Sequence, residues 1–435
     1  MSHEMIGVIG MITFMALMFL RIPLAFVFAI VGGLGTVVLL NMKAGMSLYA
    51  SIPFGWATEY SFSSLPMFIL MGLLIAETGT AKDLYGTAYK WLGRLPGGLA
   101  MATLVATALF SGISGSAVAA AATIGTICYP EMKRYKYSPT LSSGVIAAGS
   151  TMDIMIPPSI PMIIFAIAAN VSVGKMFIAG FIPGFLEVIL FGLFIFIWAK
   201  WRPNDAPMAA ESTPFIEKIK GLKGVTPVII IFLFVFGGLY GGVFTPTEAG
   251  AVGVVGSIVL FLLIKRLNKQ GFLNSLIGTI QLTGVVFMII IGVMVFNTFI
   301  GLSRLSALLS AWVISIGVSP ALFLIVVLAL YLVLGAMMEE ISMMLLTIPF
   351  YMPAVNALGI DPIYFGVLVI VAWQIGLIAP PVGLIAFVTR GILKDVSLVT
   401  VYKGCIPFII VLVLIEGIII IEPDIALFLV KLMQK

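Results

Sequence analysis

Long apolar runs separated by short polar punctuation occupy most of the chain. Runs over 5–20, 23–40, 62–77, 176–200, 225–240, 246–264, 276–298 and 402–421 are each read as one helix crossing a membrane. Between 77 and 97 the pattern turns amphipathic, "AKDLYGTAYKWLGRLPGG", and reads as an arm rather than a span. Two segments, 97–129 and 320–352, are too long for one span and too short for two, which need about 40 residues. Two others, 139–168 and 362–391, are long enough to cross but carry Pro157-Pro158 and Pro380-Pro381 at mid-run. Proline removes a backbone donor and clashes with the preceding turn, so a tandem pair interrupts a helix.

Sliding the chain against itself by 223 residues superposes these features. Pro23 falls on Pro246, Gly33 on Gly256, Gly112 on Gly335, Pro130 on Pro353, Pro139 on Pro362, and the two proline pairs on each other. Random placement would give roughly one proline match or fewer, so a repeat is the better explanation. The polar stretch from Lys200 to Gly224 is the natural seam. The chain divides into a first repeat over 1–200, a linker over 201–224 and a second repeat over 225–435.

Charge then orients the copies. "PEMKRYKYSP" carries Lys133, Arg134 and Lys136, whereas its counterpart "PAVNALGIDP" carries no basic residue. The basic "IKRLNKQG" matches the nearly neutral "NMKAGMS" in the reverse sense. Cytoplasmic loops collect Lys and Arg, so the repeats are read as inverted. On this path 18 of the 23 Lys/Arg are cytoplasmic, the exceptions being Lys43, Lys175, Arg304, Lys431 and Lys435. Both ends of 97–129 then lie inside and both ends of 320–352 outside. These segments read as re-entrant hairpins entering from opposite faces. The expected fold is an all-α polytopic membrane protein, an inverted repeat with two re-entrant helical hairpins and two discontinuous helices.

Composition agrees: 61% of residues are hydrophobic and 9% charged, against about 25% charged in soluble domains. The first run follows Glu4 without a basic lead and reads as a mature span. Cys128 and Cys405 sit in apolar context and read as free buried thiols. No basic patch interleaved with aromatics exists, so the net charge of +5 reflects cytoplasmic loops and not nucleic-acid binding.

Candidate chemistry gathers at the hairpins and breaks. The first hairpin's middle, "LFSGISGSAVAAAATIG", places Ser111, Gly112, Ser114, Gly115 and Ser116 at the expected turn. Small hydroxyls offer hard oxygens to a cation or polar ligand, and equally let helices pack closely. The second hairpin's middle, "YLVLGAMMEEISMMLL", holds Gly335, Met338, Glu339 and Glu340. An acid at membrane depth is a functional candidate, or else a cap at a helix N-terminus. The breaks "AAGSTMDIMIPPSIP" and "AWQIGLIAPPVGL" free backbone carbonyls that need partners. Hard oxygens without His/Cys clusters suit Na⁺ better than a transition metal. Asp153, Glu187, Glu248, Glu339, Glu340 and Glu416 leave proton coupling open. "GISG" matches an intramembrane serine-protease pattern, but the only histidine, His3, lies ahead of the first span. A channel is the other competitor, against which hairpins from opposite faces argue for alternating access. In "TPTEAGA", Thr247 can cap the following helix, with Pro246 at its start and Glu248 in its first turn.

"IPPSIP", "TPTEAGAVG", "DPIYFG" and "APPVGL" resemble the large membrane subunit of TRAP transporters (tripartite ATP-independent periplasmic transporters, DctM-like) over essentially the whole chain. The resemblance implies a Na⁺-driven importer of organic acids such as C4-dicarboxylates or sialates in a bacterial inner membrane. It implies an elevator motion, a separate small membrane subunit (DctQ-like), and a periplasmic binding protein that delivers substrate. It further implies one Na⁺ site from Ser111, Gly112, Ser114, Gly115 and Ser116 with Gly149, Ser150, Asp153 and Pro157. A second would use Gly335 and Met338 with Gly376, Ile378 and Pro380. Substrate would lie between the hairpin tips, against Ser116, Pro158, Ser159, Glu339, Pro381 and Gly383. The family pattern has glycine where this chain has Asp153, a departure that bears on ion coordination or specificity. A stand-alone Na⁺-coupled anion transporter without a binding protein is the alternative.

Overall fold

The computed structural model describes residues 1–20, 22–208, 213–335, 338 and 340–433. Among them every regular element is helical. Ten helices come before residue 202: α1 (His3–Phe19), α2 (Leu24–Leu39), α3 (Met42–Ala57), α4 (Ser64–Glu77), α5 (Thr80–Leu92), α6 (Gly98–Ser114), α7 (Ala117–Arg134), α8 (Pro139–Ser150), α9 (Ile160–Ala168) and α10 (Val173–Trp201). Ten follow: α11 (Phe215–Tyr240), α12 (Pro246–Leu263), α13 (Lys269–Leu302), α14 (Leu305–Ser315), α15 (Pro320–Gly335), α16 (Glu340–Ala357), α17 (Pro362–Ile378), α18 (Leu384–Ile392), α19 (Leu398–Ile421) and α20 (Asp424–Leu432). Five of these, α10, α11, α12, α13 and α19, are each long and apolar enough to cross a membrane alone.

Two pairs of helices keep the 223-residue spacing. α7 and α16 begin at 117 and 340 and end at 134 and 357, 223 residues apart in both cases. α8 and α17 begin at Pro139 and Pro362, again 223 apart. Packing partners correspond too: α6 lies on α8 as α15 lies on α17, and α7 meets α18 as α16 meets α9.

Several expectations need revision. The stretch after residue 40, which none of the expected spans covers, is helix α3. Lys43 and Pro53 lower its apparent hydrophobicity, but Asn41 caps it, its Oδ1 accepting from the Ala44 N–H at 2.9 Å. It packs against α2 and α13, and a Cβ on Gly45 would stand 2.6 Å from Val37 Cα. α13 runs over 34 residues, about 50 Å, well beyond the 276–298 expected. α14 and α20 were not foreseen, and α11 starts at Phe215, inside the stretch read as linker. α4 and α5 meet at 68°, so the amphipathic arm is a helix turned off the end of a span. Before α12 the cap is Thr245, not Thr247: Thr245 Oγ1 accepts from Glu248 N–H (3.3 Å), and Glu248 Oε2 accepts from Thr245 N–H (2.8 Å).

Two bundles result. One packs α2 and α4 on α13, and α11 and α4 on α12. Phe14, Phe28, Phe296 and Phe299 interlock at its centre. The other packs α6, α8, α10, α15, α17 and α19 together. There α8 and α19 touch backbone to backbone: a Cβ on Gly144 would lie 2.2 Å from the Gly404 carbonyl oxygen. Arm α5 is tied to α11 by Thr87, which donates to the Gly221 carbonyl (2.9 Å), and by Trp91, which donates to the Lys218 carbonyl (3.3 Å). An Arg266–Asp83 ion pair fastens the arm to the α12–α13 loop. Cys128 and Cys405 are buried free thiols, as expected.

Candidate functional site

The first junction joins the α6–α7 tip to the α8–α9 break. α6 ends at Ser114, and Gly115 turns the chain in a left-handed conformation (φ 61°) that a side chain would strain. Ser116 then caps α7, its Oγ accepting from the Ala119 N–H at 3.2 Å. Only Gly115 and Ser116 form the turn; Ser111 and Gly112 belong to the last turn of α6. On the facing segment, α8 ends at Ser150, tightens into a 3-10 turn over Thr151–Ile154, and breaks at the cis-linked Pro157-Pro158. Ser159 caps α9, its Oγ accepting from the Met162 N–H at 3.4 Å. The pieces are in contact. A Cβ on Gly112 would stand 2.7 Å from the Ile156 side chain and 3.6 Å from its carbonyl oxygen. One on Gly115 would stand 3.9 Å from the Pro158 carbonyl oxygen.

Two helix C-termini, of α6 and α8, and two N-termini, of α7 and α9, therefore converge. C-termini favour cations and N-termini anions. The serines add to this. Ser111 donates to the Ala108 carbonyl (3.0 Å), Ser114 to Ser111 (3.4 Å), Ser150 to Ile146 (2.6 Å) and Ser159 to Ile154 (2.5 Å). Each hydroxyl proton is thus engaged locally, leaving oxygen lone pairs as the remaining function. Ser111, Gly112, Ser114, Gly149, Ser150, Asp153, Pro157, Pro158 and Ser159 are buried, and Gly115 and Ser116 partly so. Asp153 is buried in the 3-10 turn, which packs against α6 and α7, and its Oδ1 has no hydrogen-bond partner.

The second junction joins the α15–α16 turn to the α17–α18 break. Gly335 ends α15 directly against α17: a Cβ on Gly376 would stand 2.7 Å from the Gly335 carbonyl carbon. Met338 is buried, its N–H donating to the Leu334 carbonyl at 2.8 Å. Glu339 and the Glu340 side chain lie outside the described residues. Ile378 ends α17, and the cis-linked Pro380-Pro381 is exposed, unlike its buried counterpart. Gly383 supplies a left-handed turn (φ 51°) before α18. Tyr402, on α19, donates its hydroxyl to the carbonyls of Pro381 (2.9 Å) and Val382 (2.8 Å). Two carbonyls at this break already have a donor, and nothing in the sequence reading singled out Tyr402.

The two junctions meet at one polar contact that the sequence reading also missed. Gln374 Nε2 donates to the Thr151 carbonyl (3.0 Å) and to both Glu187 oxygens (3.3 and 3.1 Å). Gln374 and Thr151 are 223 residues apart. The available signal was a lone amide in an otherwise apolar helix, at the register of the repeat.

The geometry defines an all-helical fold with several apolar, membrane-length helices, and that fold matches known ones. It resembles the Alcanivorax borkumensis YdaH transporter (TM-score 0.60, 16% identity, 88% of this chain and 89% of that one). It also resembles Neisseria gonorrhoeae MtrF, described as one of a class of antimetabolite efflux pumps (TM-score 0.54, 11% identity, 90% and 84%). The chain belongs to the DctM component family of tripartite ATP-independent periplasmic transporters, whose model matches residues 11–425. It is 32% identical over 425 residues to the sialic acid TRAP transporter large permease protein SiaM of Vibrio cholerae (96% of this chain, 97% of that one). It is 33% identical over 396 residues to the C4-dicarboxylate large permease protein DctM of Pseudomonas aeruginosa (91% of each). The 2,3-diketo-L-gulonate large permease protein YiaN of Escherichia coli is 31% identical (86% and 88%). The chain is a multi-pass transporter permease of this family and not a hydrolase.

Proposed function

We propose that this chain is the large permease subunit of a Na⁺-coupled importer of an organic acid in a bacterial inner membrane. A periplasmic protein delivers the acid, and a separate small membrane subunit completes the assembly. The names of the relatives motivate the substrate class, since sialic acid, C4-dicarboxylates and diketogulonate are all carboxylates. The observation that carries the coupling is the first junction. Two helix C-termini and serine oxygens without free protons suit a cation, and the N-termini of α7 and α9 beside them suit a carboxylate. Binding a cation and an anion in one place offsets the cost of taking either alone out of water.

The Na⁺ ligands would come from Ser111 to Ser116 with Gly149 to Pro157, and from Gly335 and Met338 with Gly376, Ile378 and Pro380. Ser116, Ser159 and Gly383, beside Pro158 and Pro381, would face the carboxylate. The copies are read as inverted, so α6–α7 and α15–α16 enter from opposite faces. The bundle that carries both junctions would then move against the α2–α4–α13 scaffold. The exposure of Pro380 and Pro381, beside the start of α19 that this topology makes cytoplasmic, fits a state open inward.

Uptake into proteoliposomes, with radiolabelled sialic acid and C4-dicarboxylates at varied Na⁺, tests this. The full assembly is expected to transport only with Na⁺ and the binding protein present. Uptake that persists without Na⁺ refutes the coupling. Uptake that persists without the binding protein favours the stand-alone alternative.

A further inference from the structure

The contact between the junctions holds two carboxylates in the protein interior. Asp153 is 2% exposed, Glu187 1% and Gln374 0%. No lysine, arginine or histidine pairs with either acid among the described residues; the five ion pairs there involve other side chains. Asp153 lies two residues after Thr151 in the same 3-10 turn, and the Thr151 carbonyl shares the Gln374 amide with Glu187. Two buried anions without a counter-charge are costly, several kcal/mol per ion even after relaxation.

The hydrogen-bond inventory is one-sided. Gln374 spends its amide donors on Glu187 and on the Thr151 carbonyl. Its own Oε1 has no partner, and neither has Asp153 Oδ1. Everything left over is therefore an acceptor. A single proton on Asp153 could serve one acceptor at most and would leave the Glu187 charge uncompensated. A cation takes several oxygens at once and supplies the missing charge. Carboxylate and amide oxygens are hard donors, suited to an alkali ion. A divalent ion asks for six to eight oxygens or a stricter cage, and no third acid stands with these two among the described residues.

We infer that Glu187, Asp153 and the Gln374 amide oxygen form a further monovalent-cation site, at the contact between the two broken helices. It shares Asp153 with the first junction but adds Glu187 on α10 and Gln374 on α17, two side chains that neither junction uses for an ion. Occupied, it ties α17 and α10 to the 3-10 turn and links the two junctions through one ion. It rests on the proposed function only in taking Na⁺ as the ion.

The test is equilibrium binding of radioactive sodium to the purified, lipid-embedded protein. Glu187→Gln and Gln374→Met are each expected to bind one Na⁺ fewer per protomer than wild type. Size-exclusion profiles establish folding. If Glu187→Gln does not fold, the neutral-for-neutral Gln374→Met decides alone. Unchanged stoichiometry in the folded variants overturns this site and means that water alone fills it. Uptake indifferent to Na⁺, with one bound Na⁺ still lost in the variants, overturns the coupling proposal instead and leaves this site standing.

Discussion

The two junctions share one plan and differ at their centres. In the second, Gly335 and Gly376 press backbone against backbone, with no room for a Cβ on Gly376. In the first, the position 223 residues before Gly376 is Asp153, which brings a side chain and a charge to the same place. The surroundings follow suit. The first break is buried and its serine oxygens remain acceptors; the second is exposed and Tyr402 already donates to two of its carbonyls. Equivalent positions in a repeat need not bind ions equally. On the proposed function, the first junction would hold its cation with the help of an acid, whereas the second, among the described residues, offers mainly backbone.

The sharpest way to break the comparison is to put a Cβ where only the second junction forbids it. Gly376→Ala must displace Gly335 backbone and is expected to cost about 1–3 kcal/mol of stability. Uptake should fall roughly 100-fold, since small displacements at a binding constellation are that expensive. Gly112→Ala meets the Ile156 side chain at 2.7 Å and its backbone no closer than 3.6 Å, so a shift of that side chain relieves most of the clash and the effect should be several-fold smaller. Thermal melts and uptake on both proteins check this, and equal losses would refute the asymmetry. Next in size is Asp153→Asn. Removing the charge while keeping the shape should raise the Na⁺ concentration for half-maximal uptake about tenfold, the scale of one charge-assisted contact. Tyr402→Phe is expected to cost about 1 kcal/mol by freeing the Pro381 and Val382 carbonyls, seen as a small drop in melting temperature.

The smallest effect concerns Lys133 and Asp395, an exposed 2.6 Å pair joining α7 to the α18–α19 loop. The Lys133 ammonium holds the Asp395 carboxyl below the usual carboxylate range. Whatever the pair contributes is therefore present above about pH 4 and lost as pH falls through the lowered pKa. Lys133→Met should lower stability slightly at neutral pH, and its difference from wild type should vanish as pH falls through the lowered Asp395 pKa, checked by melts across the acid range.

Much of this was legible from residue order because it rests on local chemistry. Tandem prolines break helices wherever they occur, and Gly115 marks a left-handed turn in any setting. The apolar runs reported most helices, and four short motifs reported the family. What stayed hidden depends on contacts between distant segments. Met42–Ala57 carries a lysine and a proline, and only packing against α2 and α13 shows why it is a helix. Ser111 and Gly112 look like turn residues by composition, but the α6 ladder runs through them. Glu187 read as one of several scattered acids until Gln374 was found beside it. Tyr402 lies about 20 residues beyond the carbonyls it serves, and no sequence period announces that pairing.

The Thr151–Gln374 bond has an implication for how such a molecule arises. A residue that touches its own counterpart sits where a two-fold axis would pass. In an assembly of two identical chains, whatever lies there must bond to a copy of itself, and the contact has no direction. Joining the copies in one polypeptide lifts that restriction. Here the Gln374 amide gives and the Thr151 carbonyl receives, so, on the repeat read from the sequence, the contact has a polarity that a symmetric pair of identical chains could not hold.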